Sequence, residues 1–272
     1  MKLSIVLSTH QASFNAVAYK GDLAANAAQI ASLGYDGVEL AIRDPKLVDP
    51  DEILKVLVFH HLTVPAIGTG QAWGEEKLSL TDPDATVLRK AMDRLESHIP
   101  LAEKLGAMII VGLIRGIGGF SSSRKEEQWL LEALQRCTEK ASAQGVRIVV
   151  EPLNRYETTL INTVSQGMEV IEKIGADNMG LLLDTFHMNI EEPSIGDSIR
   201  ACRDKIFHFH VADSNRWYPG AGHLDFASIL KTLFKTGYNG FISGEFIPEP
   251  DAVVSASRSL KHLRGLSLDG AG

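Results

Sequence analysis

Glu151, Asp184, His210 and Glu245 are four metal-type ligands, and each closes a short, mostly apolar run. The runs are Arg147-Ile-Val-Val-Glu151, Met179-Gly-Leu-Leu-Leu-Asp184, Ile206-Phe-His-Phe-His210 and Gly240-Phe-Ile-Ser-Gly-Glu245. Three carboxylates and one imidazole form a mostly oxygen donor set. Such a set suits one hard, octahedral dication, Mn²⁺ first, with Mg²⁺ or Co²⁺ as alternatives. A structural zinc site more often uses thiolates, and both cysteines, Cys137 and Cys202, lie in helix-like segments and read as small buried hydrophobes. One carboxylate at a strand end is ordinarily a loop cap or a surface charge. Four together call for a common purpose.

Apolar strands that each end in a polar residue are how a parallel β/α barrel builds a site at its C-terminal rim. Successive ligands are separated by roughly 30 residues, the size of one strand, one helix and their loops. Eight strand-like runs alternate with amphipathic stretches: 3–8, 37–41, 64–68, 107–112, 147–151, 179–184, 206–211 and 240–245. Helical patterns occupy 23–33, 86–105, 128–144 and 226–236, and Gly34, Gly106, Gly145, Gly175 and Gly237 stand where helices should stop. The expected fold is an α/β (β/α)₈ TIM barrel forming a single domain over residues 1–272. Alternation along 207–210 puts His208 on the face of His210, one layer below it, and turns both phenylalanines towards the helices.

The chain has 272 residues, near the roughly 250 typical of such a barrel. Its 27 Lys and Arg against 34 Asp and Glu leave a net charge of −7, which argues against a nucleic-acid partner. No apolar run approaches the roughly 20 residues needed to span a bilayer, and the N-terminus lacks a signal-peptide pattern. The expected setting is cytoplasmic, without membrane contact.

Further polar residues crowd the same rim. Glu151-Pro-Leu-Asn-Arg-Tyr-Glu157, Asp184-Thr-Phe-His-Met-Asn189 and His210-Val-Ala-Asp-Ser-Asn-Arg216 with Pro219-Gly-Ala-Gly-His223 resemble the ketose 3-epimerases. That family includes the D-tagatose and D-psicose 3-epimerases, within the xylose isomerase-like TIM barrels. Ala41-Ile-Arg-Asp-Pro45, Ile67-Gly-Thr-Gly-Gln-Ala72 and Gly112-Leu-Ile-Arg-Gly116 look nearest to a 5-keto-L-gluconate epimerase. The resemblance implies that Glu151, Asp184, His210 and Glu245 bind the metal. It implies that Glu151 and Glu245 are also the catalytic acid–base pair, and that Glu157, His187 and Arg216 hold substrate oxygens. It also implies a homo-oligomer, a dimer or tetramer.

The chemistry then expected is inversion of a carbon beside the ketone of a ketose or keto-hexonic acid, through an enediolate. One carboxylate takes the proton and the other returns it on the opposite face, so the pair must differ in protonation. Arg43 and Arg115 follow two strands at the same rim. One of them, with Gln71, is a candidate receiver for a substrate carboxylate, since the guanidinium fork fits that group. The bland alternative is a rim salt bridge. A second reading is an aldose–ketose or hydroxypyruvate-type isomerase using the same site. A third, an endonuclease IV-like nuclease, would need further histidines after the third and fourth strands, where Ile67-Gly-Thr-Gly70 and Gly112-Leu-Ile-Arg115 stand instead.

Overall fold

In the computed structural model, which describes residues 1–118 and 124–267, eight parallel strands pair in chain order. They are β1 (Lys2–Ser8), β2 (Gly37–Ala41), β3 (Ala66–Gly68), β4 (Met108–Val111), β5 (Ile148–Val150), β6 (Met179–Asp184), β7 (Ile206–Val211) and β8 (Phe241–Gly244). The last returns to the first, Lys2 to Ile5 lying beside Phe241 to Gly244, and this closes the (β/α)₈ barrel. A two-residue strand, Tyr19–Lys20, lies along the end of β1.

The helices are α1 (Leu23–Leu33), α2 (Pro50–Phe59), α3 (Gln71–Glu76), α4 (Ala85–Leu105), α5 (Arg124–Ser142), α6 (Val164–Ile174), α7 (Thr185–Glu191), α8 (Ile195–Ala201), α9 (Phe226–Lys235) and α10 (Ala252–Arg264). Their ends obey local chemistry. Asp22, Asp84, Asp225 and Asp251 cap α1, α4, α9 and α10 through their side chains. Thr163 and Gln166 form a reciprocal capping box on α6. Gly34 and Gly106 end α1 and α4 with φ of 96° and 66°, a backbone region that glycine enters without steric cost.

Alternation divides each strand between two environments. Leu3, Ile5 and Leu7 join the large core between barrel and helices. Ala66, Met108, Ile110, Val149 and Leu182 form a smaller cluster in the barrel's interior. The expectation for the phenylalanines is half corrected. Phe209 joins the helix-side core, but Phe207 packs against the interior cluster. The cause is a register shift: Leu181 pairs with Ile206 but Leu182 pairs with His208, so Phe207 is an extra residue. Its ring lies over Gly180, where a Cβ would come within 2.5 Å of it. The two histidines keep their places, with Leu182 opposite His208 and Asp184 opposite His210.

Candidate active site

The four ligand-type residues meet at the C-terminal rim. Donor atoms of Glu151, Asp184, His210 and Glu245 all lie within 4.8 Å of one another. His210 Nδ1 faces the three carboxylates, 3.8 Å from Glu151 Oε1, 3.7 Å from Asp184 Oδ2 and 3.9 Å from Glu245 Oε2. Glu151 Oε1 and His210 Nδ1 are buried with no hydrogen-bond partner. Buried polar atoms are normally paired, so two orphaned ligand atoms aimed at one point fit a cation held between them. The donor set is that of a hard dication.

The electrostatics agree. Burial, followed by the Glu245 and Asp184 charges, pushes the Glu151 carboxyl well above the usual range. Burial raises Glu245 as well, against the pull of His210 and Arg216. Burial would also raise Asp184, but His187, His210 and Arg216 outweigh it and hold the carboxyl at about 2. Two buried carboxylates and the partly buried Glu245 around one imidazole repel one another, a repulsion that a dication would relieve.

A second tier surrounds this cradle. His187 Nδ1 accepts from the backbone N–H and the Nδ2 of Asn154, at 3.2 and 2.8 Å. The neutral ring must then carry its proton on Nε2, which is buried, unpartnered and 3.9 Å from Glu151 Oε1. Burial keeps the ring neutral by lowering its pKa to about 4. Arg216 donates to Glu157 at 2.6 Å and lies 3.8 Å from Glu245. Its guanidinium is stacked between the rings of Phe14 and Phe186, 5.1 and 4.7 Å from their centroids. Glu157, His187, Arg216 and Gln71 all line one cavity of about 270 Å³, together with Glu151, His210 and Glu245. Trp73, Phe14 and Leu113 give that cavity apolar walls.

Two of the expected substrate contacts lie outside the cavity lining. Arg115 is completely buried and outside the cavity lining. Its guanidinium donates to the carbonyls of Val111, Gly112, Leu160 and Ile161. It therefore ties the end of β4 to the loop after β5, with four of its five N–H donors engaged by backbone carbonyls. Arg43 also lies outside the lining and turns to Glu76 at 3.3 Å, while Arg94 binds Asp44 and Glu76. This is the arrangement of a rim salt bridge. Gln71 does line the cavity, with Nε2 donating to Ser8 at 2.7 Å. Asp213 accepts from Ser214, Gly220 and Leu224 and so organises the loop that carries Arg216.

Sequence reading passes over one residue, Glu39. It is buried in the middle of β2, and its Oε2 accepts from His208 Nε2 at 2.7 Å and His210 Nε2 at 2.8 Å. A charged residue inside an otherwise apolar strand was the available signal.

Comparison with known proteins places these features in context. Residues 27–265 match the family model of the Xylose isomerase-like TIM barrel. The chain is 33% identical over 242 residues to an L-ribulose 3-epimerase of Mesorhizobium japonicum, covering 88% of this chain and 80% of that protein. It is 31% identical to a D-psicose 3-epimerase of Ruminiclostridium cellulolyticum, over 79% of this chain and 74% of that one. A solved structure of an L-ribulose 3-epimerase matches with a TM-score of 0.85 at 30% identity, covering 100% of this chain and 96% of that one.

Proposed function

We propose, from the premise that the chain belongs to the xylose isomerase-like TIM-barrel family and to the ketose 3-epimerases within it, that it inverts carbon 3 of a neutral ketose. L-ribulose and D-psicose, named for its relatives, are the first substrates to try. The observation that carries the reading is the convergence of Glu151, Asp184, His210 and Glu245 on one point beside Glu157, His187 and Arg216.

Glu151, Asp184, His210 and Glu245 would hold a divalent ion, Mn²⁺ by preference. When bound, the ion supplies a fixed positive charge that stabilises negative charge developing on the substrate oxygens. The side chains do the rest. Glu151 and Glu245 come from different strands, so each can approach the substrate carbon from its own side. Burial and mutual repulsion raise both carboxyls, which favours a state in which the two share one proton. One then removes the carbon-bound proton and the other returns a proton to the opposite face. His187 Nε2–H and the Arg216 guanidinium are fixed donors for the substrate's oxygens near the ketone, and Glu157 is an acceptor for a hydroxyl. Phe14, Trp73 and Leu113 exclude water from the reacting face.

Lys77 favours a second reading, a keto-hexonic acid such as 5-keto-L-gluconate. It lines the cavity, with its ammonium 4.3 Å from the Trp73 ring centroid, and offers a charge that Arg43 and Arg115 do not.

The test is proton exchange. Mn²⁺-loaded protein is incubated in D₂O with neutral ketoses and with keto-hexonic acids, and deuterium is located by NMR. Deuterium at carbon 3 with an inverted product is the expected result. Aldehyde formation would replace the epimerase with an aldose–ketose isomerase, and no exchange with any sugar would overturn the reading. Preference for the acids, lost in Lys77→Met, would select the second reading.

A further inference from the structure

We infer that Glu39 is a positioning residue that fixes how His210 presents its ring to the cation cradle, and that His208 locks Glu39 in turn. This rests on the proposed function only in reading the cradle as a divalent-cation site.

The geometry is specific. One oxygen, Glu39 Oε2, receives Nε2 of both histidines, at 2.7 and 2.8 Å. The rings stand edge to face with centroids 5.2 Å apart, and all three side chains are buried. An ionised carboxylate only accepts hydrogen bonds, so both Nε2 atoms must carry protons. For His210 this leaves Nδ1 as the free nitrogen, and Nδ1 is the atom 3.7–3.9 Å from the three cradle carboxylates. A histidine that ligates a metal commonly donates its other N–H to a carboxylate, which sets both tautomer and ring angle.

Glu39, His208 and His210 could also be read as a second cation site. The distances speak against it. Contacts of 2.7–2.8 Å are hydrogen-bond lengths, whereas the donor atoms around the cradle stand about an ångström farther apart. His208 is the less obvious member. It supplies the second donor to the shared oxygen, and so removes the freedom Glu39 would have if it served His210 alone. The arrangement buries a carboxylate at the floor of the cavity, where the two ring N–H groups are its partners.

The experiment titrates metal-free protein with Mn²⁺ alone, without sugar, in wild type, Glu39→Gln and Glu39→Asp. Zn²⁺-loaded protein carrying ¹⁵N-histidine reports which His210 nitrogen holds the proton. Positioning predicts that both variants bind Mn²⁺ about 10–100-fold more weakly, and that the His210 signature, Nε2 protonated and Nδ1 ligated, is lost or becomes mixed. Glu39→Asp is the discriminating case, because it keeps the charge but withdraws the oxygen by one methylene. If Glu39 acted only as a distant negative charge, Glu39→Asp would match wild type, and that result overturns the inference. Affinity within about twofold of wild type in Glu39→Gln, with an unchanged imidazole signature, also overturns it. Should Glu39→Gln fail to fold, Glu39→Asp decides alone. A wild type that takes up no Mn²⁺ would instead sink the cradle reading itself, so the two failures are distinguishable.

Discussion

At the scale of single residues, the site is a crowd of like charges. Glu151 and Glu245 are both raised above ordinary carboxyl values, chiefly by burial. A group whose pKa is raised on folding stabilises the fold below its unfolded value, about 4.3 for Glu, and loses that contribution as pH climbs through the folded value. Metal-free protein should therefore lose stability on account of this pair as pH rises from about 4 through the folded value of Glu245, about 7. Glu245→Gln removes one of the two. Its metal-free melting temperature should equal or exceed that of wild type, with a margin that widens as pH rises; thermal scans showing a margin independent of pH would refute this. Asp184 runs the other way: its contribution is present above about pH 4 and fades only as pH falls towards about 2. Protons compete with the cation for the same oxygens, so Mn²⁺ affinity should increase over the same pH interval. Gly112 gives a second residue-scale prediction. A Cβ there would come within 3.0 Å of Glu151 Oε2, so Gly112→Ala should lower kcat by displacing the carboxylate while leaving the fold intact. Far-ultraviolet circular dichroism and steady-state rates would separate the two effects. The four ligand-type residues were legible in the sequence because each closes a mostly apolar run. Glu39 was not picked out, because its role depends on strand β7, which is remote in the sequence.

At the scale of elements, strand and helix positions followed from alternation and capping, with α1 coinciding with its expected bounds of Leu23–Leu33. Phe207 escaped because a one-residue register shift reverses which face a side chain occupies. Arg115 escaped for a related reason. Its place after a strand suggested the rim, but a short 3₁₀ turn, Leu113–Arg115, redirects it inward. There it clamps the β4 end to the loop that carries Asn154 and Glu157. Arg115→Met should leave several carbonyls without donors, at about 1–3 kcal/mol for each one left unsatisfied. The expected outcome is a lowered melting temperature, with activity falling equally on neutral and acidic sugars. A selective loss on acids would restore Arg115 as a substrate contact. By contrast Thr163→Ala, which breaks the α6 capping box, should cost about 1 kcal/mol and leave the rate constants alone.

At the scale of the whole molecule, four of the eight strands contribute to the cradle, so cation binding and barrel integrity are linked. Chelation should lower the melting temperature. Restoring Mn²⁺ at about 100 times its dissociation constant should return about 2.7 kcal/mol, or several degrees for a chain of this size. Differential scanning calorimetry checks this, and an unchanged transition would separate the site from the fold. Among the described residues no helix is long and apolar enough to cross a membrane. Closure of the barrel has a consequence for synthesis. Lys2 to Ile5 find their seat beside Phe241 to Gly244 only after the strands and helices between them have been made. At the usual pace of translation, on the order of 5–20 residues per second, β1 waits tens of seconds with one edge unpaired. The cradle waits as long, since Glu245 follows directly on β8. A ribosome-bound nascent chain would thus present an open, hydrogen-bonding edge to its surroundings, and the step that closes the ring is the same one that delivers the second glutamate.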